Sequence, residues 1–444
     1  MEVINTRENE QRYKDFDIKD SFRIVIYSFV GILIFFIPFK FKSGFNTIIY
    51  QIYFFIHSKY VSLIKFYLFI MVVVGSILPI VKSKKTKYCP FNNILKCIRP
   101  ISILFILIIF SRVDLNLLSN KSLLFMERFL IKFVIMLSLS SIFLPLITNY
   151  GLLEVFEAYF QKCTKKTFKL SGKCVLNIMI YLFVDVFSGM FMTNMLYKNG
   201  RLRQSEACIL ITCFSFSSFL NYYYLSEELS LKSLTFTILC ILFLSLFINF
   251  VVCRLWPLNS KKKSYLYRSS YKECNFKRDK FKKAIIRYLA TKKDKKLIYS
   301  MVENFKQSFN IIMTILPDLV IIIFIGELLI DDMGLVKFMG KATYPIIDFL
   351  GLPSKNRINE AICLGMFNGG RYIEFINKDN QYITNLIIFI ISMVQTISIS
   401  TNMLYIDITS IPIKKIELFI IGLEKILISI IIICLFHYLV VGNL

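Results

Sequence analysis

Between Phe22 and Val441 the sequence returns repeatedly to apolar runs close to roughly 20 residues, the length of helix that crosses the hydrocarbon core of a bilayer. That spacing leaves little choice of fold. Lipid offers backbone amides and carbonyls no partners, so a segment at membrane depth must satisfy them within itself, as a helix does. Composition agrees, with 56% of the 444 residues hydrophobic and a mean hydropathy of +0.61. The expected fold is an all-α polytopic membrane protein.

Hydropathy places nine spans, near Phe22–Phe39, Tyr60–Val81, Asn93–Phe110, Leu123–Thr148, Glu206–Tyr224, Leu234–Cys253, Phe309–Ile330, Tyr382–Ser400 and Ile416–Val441. The third is the weakest, since only Ile101–Phe110 is strongly apolar. The first run ends at Ile37-Pro38-Phe39-Lys40 without a small-x-small cleavage site, which marks it as a retained span. The loop Arg254–Lys296 carries Lys261, Lys262, Lys263, Lys277, Arg278, Lys282, Lys283, Lys292 and Lys293 against Glu273, Asp279 and Asp294. By the positive-inside rule it is cytoplasmic, as is the N-terminus, in a multi-pass protein of a bacterial cell membrane.

The formal charge of +25 does not point to nucleic acid, because the lysines and arginines lie between the apolar runs. Eleven cysteines form no Cys-x-x-Cys pair, and the two histidines, His57 and His437, sit at predicted membrane edges, so neither a disulfide framework nor a metal site is expected. Phosphate-loop, His-Glu-x-x-His and Gly-x-Ser-x-Gly motifs are missing, which argues against an enzyme or a cofactor.

Two apolar segments do not read as simple spans. Lys162, Lys165, Lys166, Lys169 and Lys173 precede Val175–Leu196, and Lys198, Arg201 and Arg203 follow it, so both ends are cytoplasmic. Asp185, Ser188, Gly189, Thr193 and Asn194 interrupt the segment, which predicts a re-entrant hairpin. Ile358–Ile376, broken by Gly365, Asn368, Gly369, Gly370 and Arg371, is its counterpart and opens to the opposite side. Gly151-Leu152-Leu153 and Gly334-Leu335-Val336 open matching amphipathic stretches, and an inverted repeat follows, the plan of many secondary transporters. The divisions are N-terminal helices (1–122), a first membrane repeat (123–253), a basic cytoplasmic loop (254–300) and a second repeat (301–444).

Phe183-Val184, Ser188-Gly189, Thr193-Asn194, Tyr197-Lys198, Gly200, Glu206-Ala207, Ile209, Thr212, Phe214-Ser215 and Ser218 together resemble the signature block of the bacterial nucleoside-recognition, or Gate-domain, integral membrane proteins. Ser28-Phe29-Val30-Gly31 with Phe35-Phe36-Ile37-Pro38 is similar to that family's first helix, and Val394-Gln395, Ser400 and Ile411-Pro412 to its last third. The chain departs from the pattern at Asn368, where an acidic residue is expected, and at Glu424-Lys425, where the family has an Arg-Thr pair. The resemblance implies a transport-like architecture and a solute related to nucleosides.

Chemistry at the interruptions defines the candidate site. Gly189, Thr193, Asn194 and Ser215 offer uncharged donors and acceptors suited to a small polar solute. Asn368, Gly369, Gly370 and Arg371 face them from the second broken segment, and Gln395 completes the pocket. A carboxylate amid apolar residues needs a partner or a cavity, so Asp185 and Asp318, the latter after the carbonyl-freeing Pro317, are the candidates to couple a proton or sodium ion. Glu327, nine positions on and on the opposite helix face, belongs to the outer interface. Glu424 and Lys425 point about 100° apart, and each needs its own partner. The alternative is a non-transporting assembly or developmental factor whose polar residues only join helices. The expected partners are the bilayer and the solute; assembly into a homo-oligomer is left open.

Overall fold

The computed structural model describes residues 18–41, 44–81, 98–111, 118–215, 234–266, 279–291, 296–331, 334, 340–341, 344–345, 347–348, 354–367, 384–385, 387–389, 399–409 and 411–441. Among these residues the architecture is all-α apart from one short β-ribbon. Isoleucine, leucine and phenylalanine dominate the helices, although β-branched and aromatic residues are indifferent helix formers in water. Nonpolar surroundings remove the alternative of solvating the backbone, so the helix forms regardless.

In chain order the helices are α1 Ile18–Phe35, α2 Ile48–Lys59, α3 Val61–Val81, α4 Ile101–Ser111, α5 Asn120–Phe143, α6 Pro145–Thr148, α7 Leu152–Phe168 and α8 Cys174–Phe183. They continue with α9 Val186–Lys198, α10 Gln204–Cys213, α11 Leu234–Val252, α12 Lys280–Thr291, α13 Leu297–Asp331, α14 Lys355–Phe367, α15 Ile399–Ile408 and α16 Lys415–Val441. Strands β1 Pro38–Phe41 and β2 Gly44–Thr47 pair antiparallel, Pro38 opposite Thr47.

Several expected boundaries shift for local reasons. The first span stops at Phe35, because Pro38 steers Ile37 away from helical backbone and starts the ribbon. The fourth breaks at Leu144, where Pro145 opens a new turn. The fifth is helical only to Cys213, and residues 216–233 lie outside the described part. The seventh grows to a 35-residue helix, about 52 Å at 1.5 Å per residue. Glu327, expected at the outer interface, is buried. Most of Tyr382–Ser400 is not among the described residues.

Among the described residues three helical stretches, Val61–Leu78, Asn120–Thr148 and Leu297–Ile330, are long and apolar enough to cross a membrane, and shorter apolar helices accompany them. Leu63, Phe66, Leu104, Phe243 and Ile431 are each more than half exposed, an apolar outer surface that water would penalise and lipid would not.

Helix α13 is the hub, packing on α3, α4, α5 and α15. At Gly75 the approach is so close that a Cβ would sit 2.1 Å from the Met313 carbonyl oxygen, and Phe105 stacks on Phe324 at 4.0 Å. On its other side α5 carries the broken segment, with Phe133 edge-on to Phe187 at 4.9 Å and Ser140 hydrogen-bonded to Ser188.

The basic loop is docked. Ala284 of α12 buries against Ala158 of α7 and Tyr288 against Gly151 just before that helix, while the backbone amides of Gln204 and Ser205 donate to the carbonyls of Ser264 and Lys262. Arg254 donates to the carbonyls of Lys166 and Thr167, the natural place for a cation at a helix C-terminus.

Candidate functional site

The interruption in Val175–Leu196 is local chemistry. Asp185 adopts extended backbone and its Oδ1 accepts the amide of Phe187 at 2.9 Å, an N-cap that starts α9 at Val186, with two residues between that start and the end of α8 at Phe183. The two helices then fold back on each other. Tyr181, just before the break, contacts Gly189 and Thr193 beyond it, and Asn177 one turn earlier also reaches Thr193. At the open end Lys173 Nζ donates to the Arg201 carbonyl at 3.3 Å, so both ends of the hairpin meet.

Close packing explains Gly189. A Cβ there would lie 2.4 Å from Cδ1 of Tyr181, so the space a side chain would take is already filled by the ring rather than open to a ligand. Thr193 is likewise occupied. Its hydroxyl donates to the Gly189 carbonyl at 2.8 Å and receives Asn177 Nδ2 at 2.6 Å and the Tyr181 hydroxyl at 3.1 Å. One donor and two lone pairs are all a hydroxyl has. These two residues, expected to touch solute, therefore hold the hairpin closed and aim their neighbours.

What remains unspent lies around them. Asn177 Oδ1, Asn194 Oδ1 and the Tyr405 hydroxyl are buried with no hydrogen-bond partner of good geometry, although the Asn194 and Tyr405 side chains adjoin. Tyr405 and Asn402 share one face of α15, three residues apart, and Asn402 Nδ2 donates to Ser215 Oγ at 3.1 Å. The structure thus brings Asn194 and Ser215 to the same helix, α15. Each orphaned polar atom in an interior costs roughly 1–3 kcal/mol, which a bound polar molecule would recover.

Lys425 of α16 closes this region. Its buried ammonium donates to the carbonyls of Thr212 at 2.6 Å and Cys213 at 3.1 Å, two of the carbonyls left over where α10 ends.

The acidic candidates both have cations beside them. Lys132 Nζ lies 3.1 Å from Asp185 Oδ2, and Arg99 forks onto Asp318 at 2.8 and 2.6 Å. A third pair, Lys65 with Glu127 at 2.7 Å, joins α3 to α5. Asp318 is not exposed to a cavity as a site for a free cation requires: both oxygens are taken. It also lies on α13 rather than on the hairpin.

At the hairpin's open end Glu206 accepts the amides of Ser171 and Arg203, each at 2.9 Å, tying the two ends together. Beside it Glu157 sits 3.3 Å from Arg287 of α12 and 3.9 Å from Lys173. Burial raises the Glu157 carboxyl above the usual carboxylate range and lowers Lys173 to about 8, the latter opposed by Glu157.

Asn368, Gly369, Gly370, Arg371 and Gln395 lie outside the described residues. Asn177, Tyr181, Tyr405 and the cations Lys132 and Arg99 were missed by reasoning from sequence. A signal existed for some: Asn177 and Tyr181 are four apart on one helix face within an apolar run, and Lys132 stands in the most apolar stretch of α5, where a charge must find a partner.

No protein-family model matches the sequence, and no curated protein matches it. Among solved structures the chain is similar to CNTnw, a concentrative nucleoside transporter, in an outward-facing state, at 12% identity and a TM-score of 0.43, over 92% of this chain and 95% of that one.

Proposed function

We propose that the protein is a secondary transporter of a small polar solute, which binds where the α8–α9 hairpin, the end of α10 and α15 meet. The observation that carries this reading is a set of buried polar atoms with hydrogen-bonding capacity to spare, Asn177 Oδ1 without a partner and Asn194 Oδ1 and the Tyr405 hydroxyl beside each other but poorly aligned, at a helix break in an apolar, lipid-facing chain. All three are uncharged hydrogen-bonding groups flanked by aromatic rings, a lining that suits hydroxyls and heterocycle edges better than ions. The similarity of residues 183–218 to the Gate-domain signature favours a nucleoside-like solute.

In this reading the hairpin is re-entrant from the cytoplasm, the halves 123–253 and 301–444 are inverted repeats, and Asn368-Gly369-Gly370-Arg371 with Gln395 approach the site from the second half. The N-terminus is cytoplasmic and the bilayer is a bacterial cell membrane. Asp185 responds to a coupling ion through its Lys132 partner.

A second reading, a membrane assembly or developmental factor, is favoured by the number of buried ion pairs that pin the helices, Arg99–Asp318 above all. Uptake separates the two. Purified protein in proteoliposomes, offered labelled nucleosides and other small polar solutes under an imposed ion gradient, is expected to accumulate one class, and N194A to lose that uptake while remaining folded. No uptake of any solute by the wild-type protein selects the second reading.

A further inference from the structure

Discontinuous helices in transporters commonly hold their coupling cation on backbone carbonyls at a half-helix C-terminus, where the helix dipole is negative. Helix α10 has such an end. It stops at Cys213 inside the protein, two residues before Ser215, and among the described residues the Leu210 carbonyl is the one of its last four that a following amide, that of Phe214, takes. The carbonyls of Thr212 and Cys213 turn to Lys425 Nζ.

Lys425 has no reason of its own to be there. Its side chain is 2% exposed, and among the described residues no carboxylate pairs with it. A buried ammonium without a counter-ion is costly, and what offsets that cost is the same oxygen cradle and dipole that would stabilise a metal cation. At the neighbouring break the arrangement recurs with a carboxylate: Asp185 spends Oδ1 on capping α9, and Oδ2 faces Lys132 Nζ at 3.1 Å. Both helix interruptions therefore present their negative groups to a lysine.

We propose that Lys425 is a tethered cation that occupies, at the end of α10, the place a coupling metal ion would take, so that the adjoining polar site works without sodium. The inference deepens the transport reading. Its test needs no solute, so it fails or stands independently of uptake.

The thermal unfolding midpoint of the purified wild-type protein is measured in sodium, potassium and choline chloride at equal ionic strength. The expected result is one midpoint in all three. K425A uncovers the carbonyls and opens the space of the side chain, and it is expected to gain a midpoint several degrees higher in sodium or potassium than in choline. K425R keeps a cation there and should remain indifferent to the salt. A sodium-specific rise in the wild-type protein, or a folded K425A that ignores every metal cation, overturns the proposal. If K425A does not fold in any salt, labelled sodium decides: saturable binding to the wild-type protein, displaced by unlabelled sodium, refutes the tethered-cation role, and its absence supports it.

Discussion

Arg99 holds both carboxylate oxygens of Asp318, through Nε at 2.8 Å and through Nη2 at 2.6 Å, across 219 positions of sequence. Each is the other's solution to the same difficulty, a charge in an interior that cannot hydrate it. The fork locks α13 to the turn that precedes α4, and it converts a carboxylate that looked like an ion site into a joint.

Breaking that joint on one side strands a buried charge. D318L is expected to lower stability by about 3–5 kcal/mol, and R99L by a similar amount. Replacing both with leucine should cost less than either single change. Unfolding of the four proteins in detergent measures this, and additive losses would show that the two residues act separately.

G189A places a methyl group against the Tyr181 ring, where the gap is 2.4 Å. The expected loss is about 1–3 kcal/mol, the usual cost of overpacking. Y181L removes ring atoms at that contact, so the double variant should lose less than the sum of the singles. If G189A is as stable as wild type, the hairpin halves are not held at this distance.

Y405F separates binding from stability. The hydroxyl adjoins only the Asn194 side chain and is poorly aligned with it, so its removal should change stability by no more than about 1 kcal/mol. Where that hydroxyl bonds solute, the same change should weaken binding by up to roughly tenfold. A large loss of stability with unchanged uptake would place Tyr405 in packing alone.

The Lys173 ammonium confers a pH dependence. Its folded value is about 8, below the roughly 10.4 of an unfolded lysine. Below 8 both states carry the proton and the cost of burial is felt in full. Between the two values the unfolded chain keeps a proton the folded one has released, so stability rises with pH, by about 3 kcal/mol at most. K173M, which leaves Glu157 beside Arg287, should lack this component of the slope. Equal slopes in both proteins between pH 8 and 10, roughly the interval between the two values, would contradict the assignment.

How much of this was legible beforehand differs by level. An interruption in Val175–Leu196 was visible because a carboxylate, two small residues and an amide cannot lie in an apolar run without a reason, but the tip expected at Gly189, Thr193 and Asn194 falls instead at Val184–Asp185, where the Asp185 cap starts the returning helix. Asn194 and Ser215 stood out as candidate ligands on the same grounds. Gly189 and Thr193 did too, yet the fold assigns them to packing: nothing in their sequence neighbourhood reveals that Tyr181 returns across the hairpin to fill one and bond the other. Asp318 and Lys425 were recognisable as groups in need of partners.

The sequence by itself determined an all-α membrane protein, its charged loop and the presence of an interruption within Val175–Leu196, because these follow from apolar length, charge sign and the cost of polar groups in an apolar run; the exact break at Val184–Asp185 was decided by the fold. The partners were decided only by the tertiary structure. Arg99 for Asp318, Lys132 for Asp185, the Thr212 and Cys213 carbonyls for Lys425, and Tyr405 beside Asn194 are contacts between segments far apart in the chain. Which buried charge meets which is set by how the helices pack, and a linear pattern states only that each must meet something.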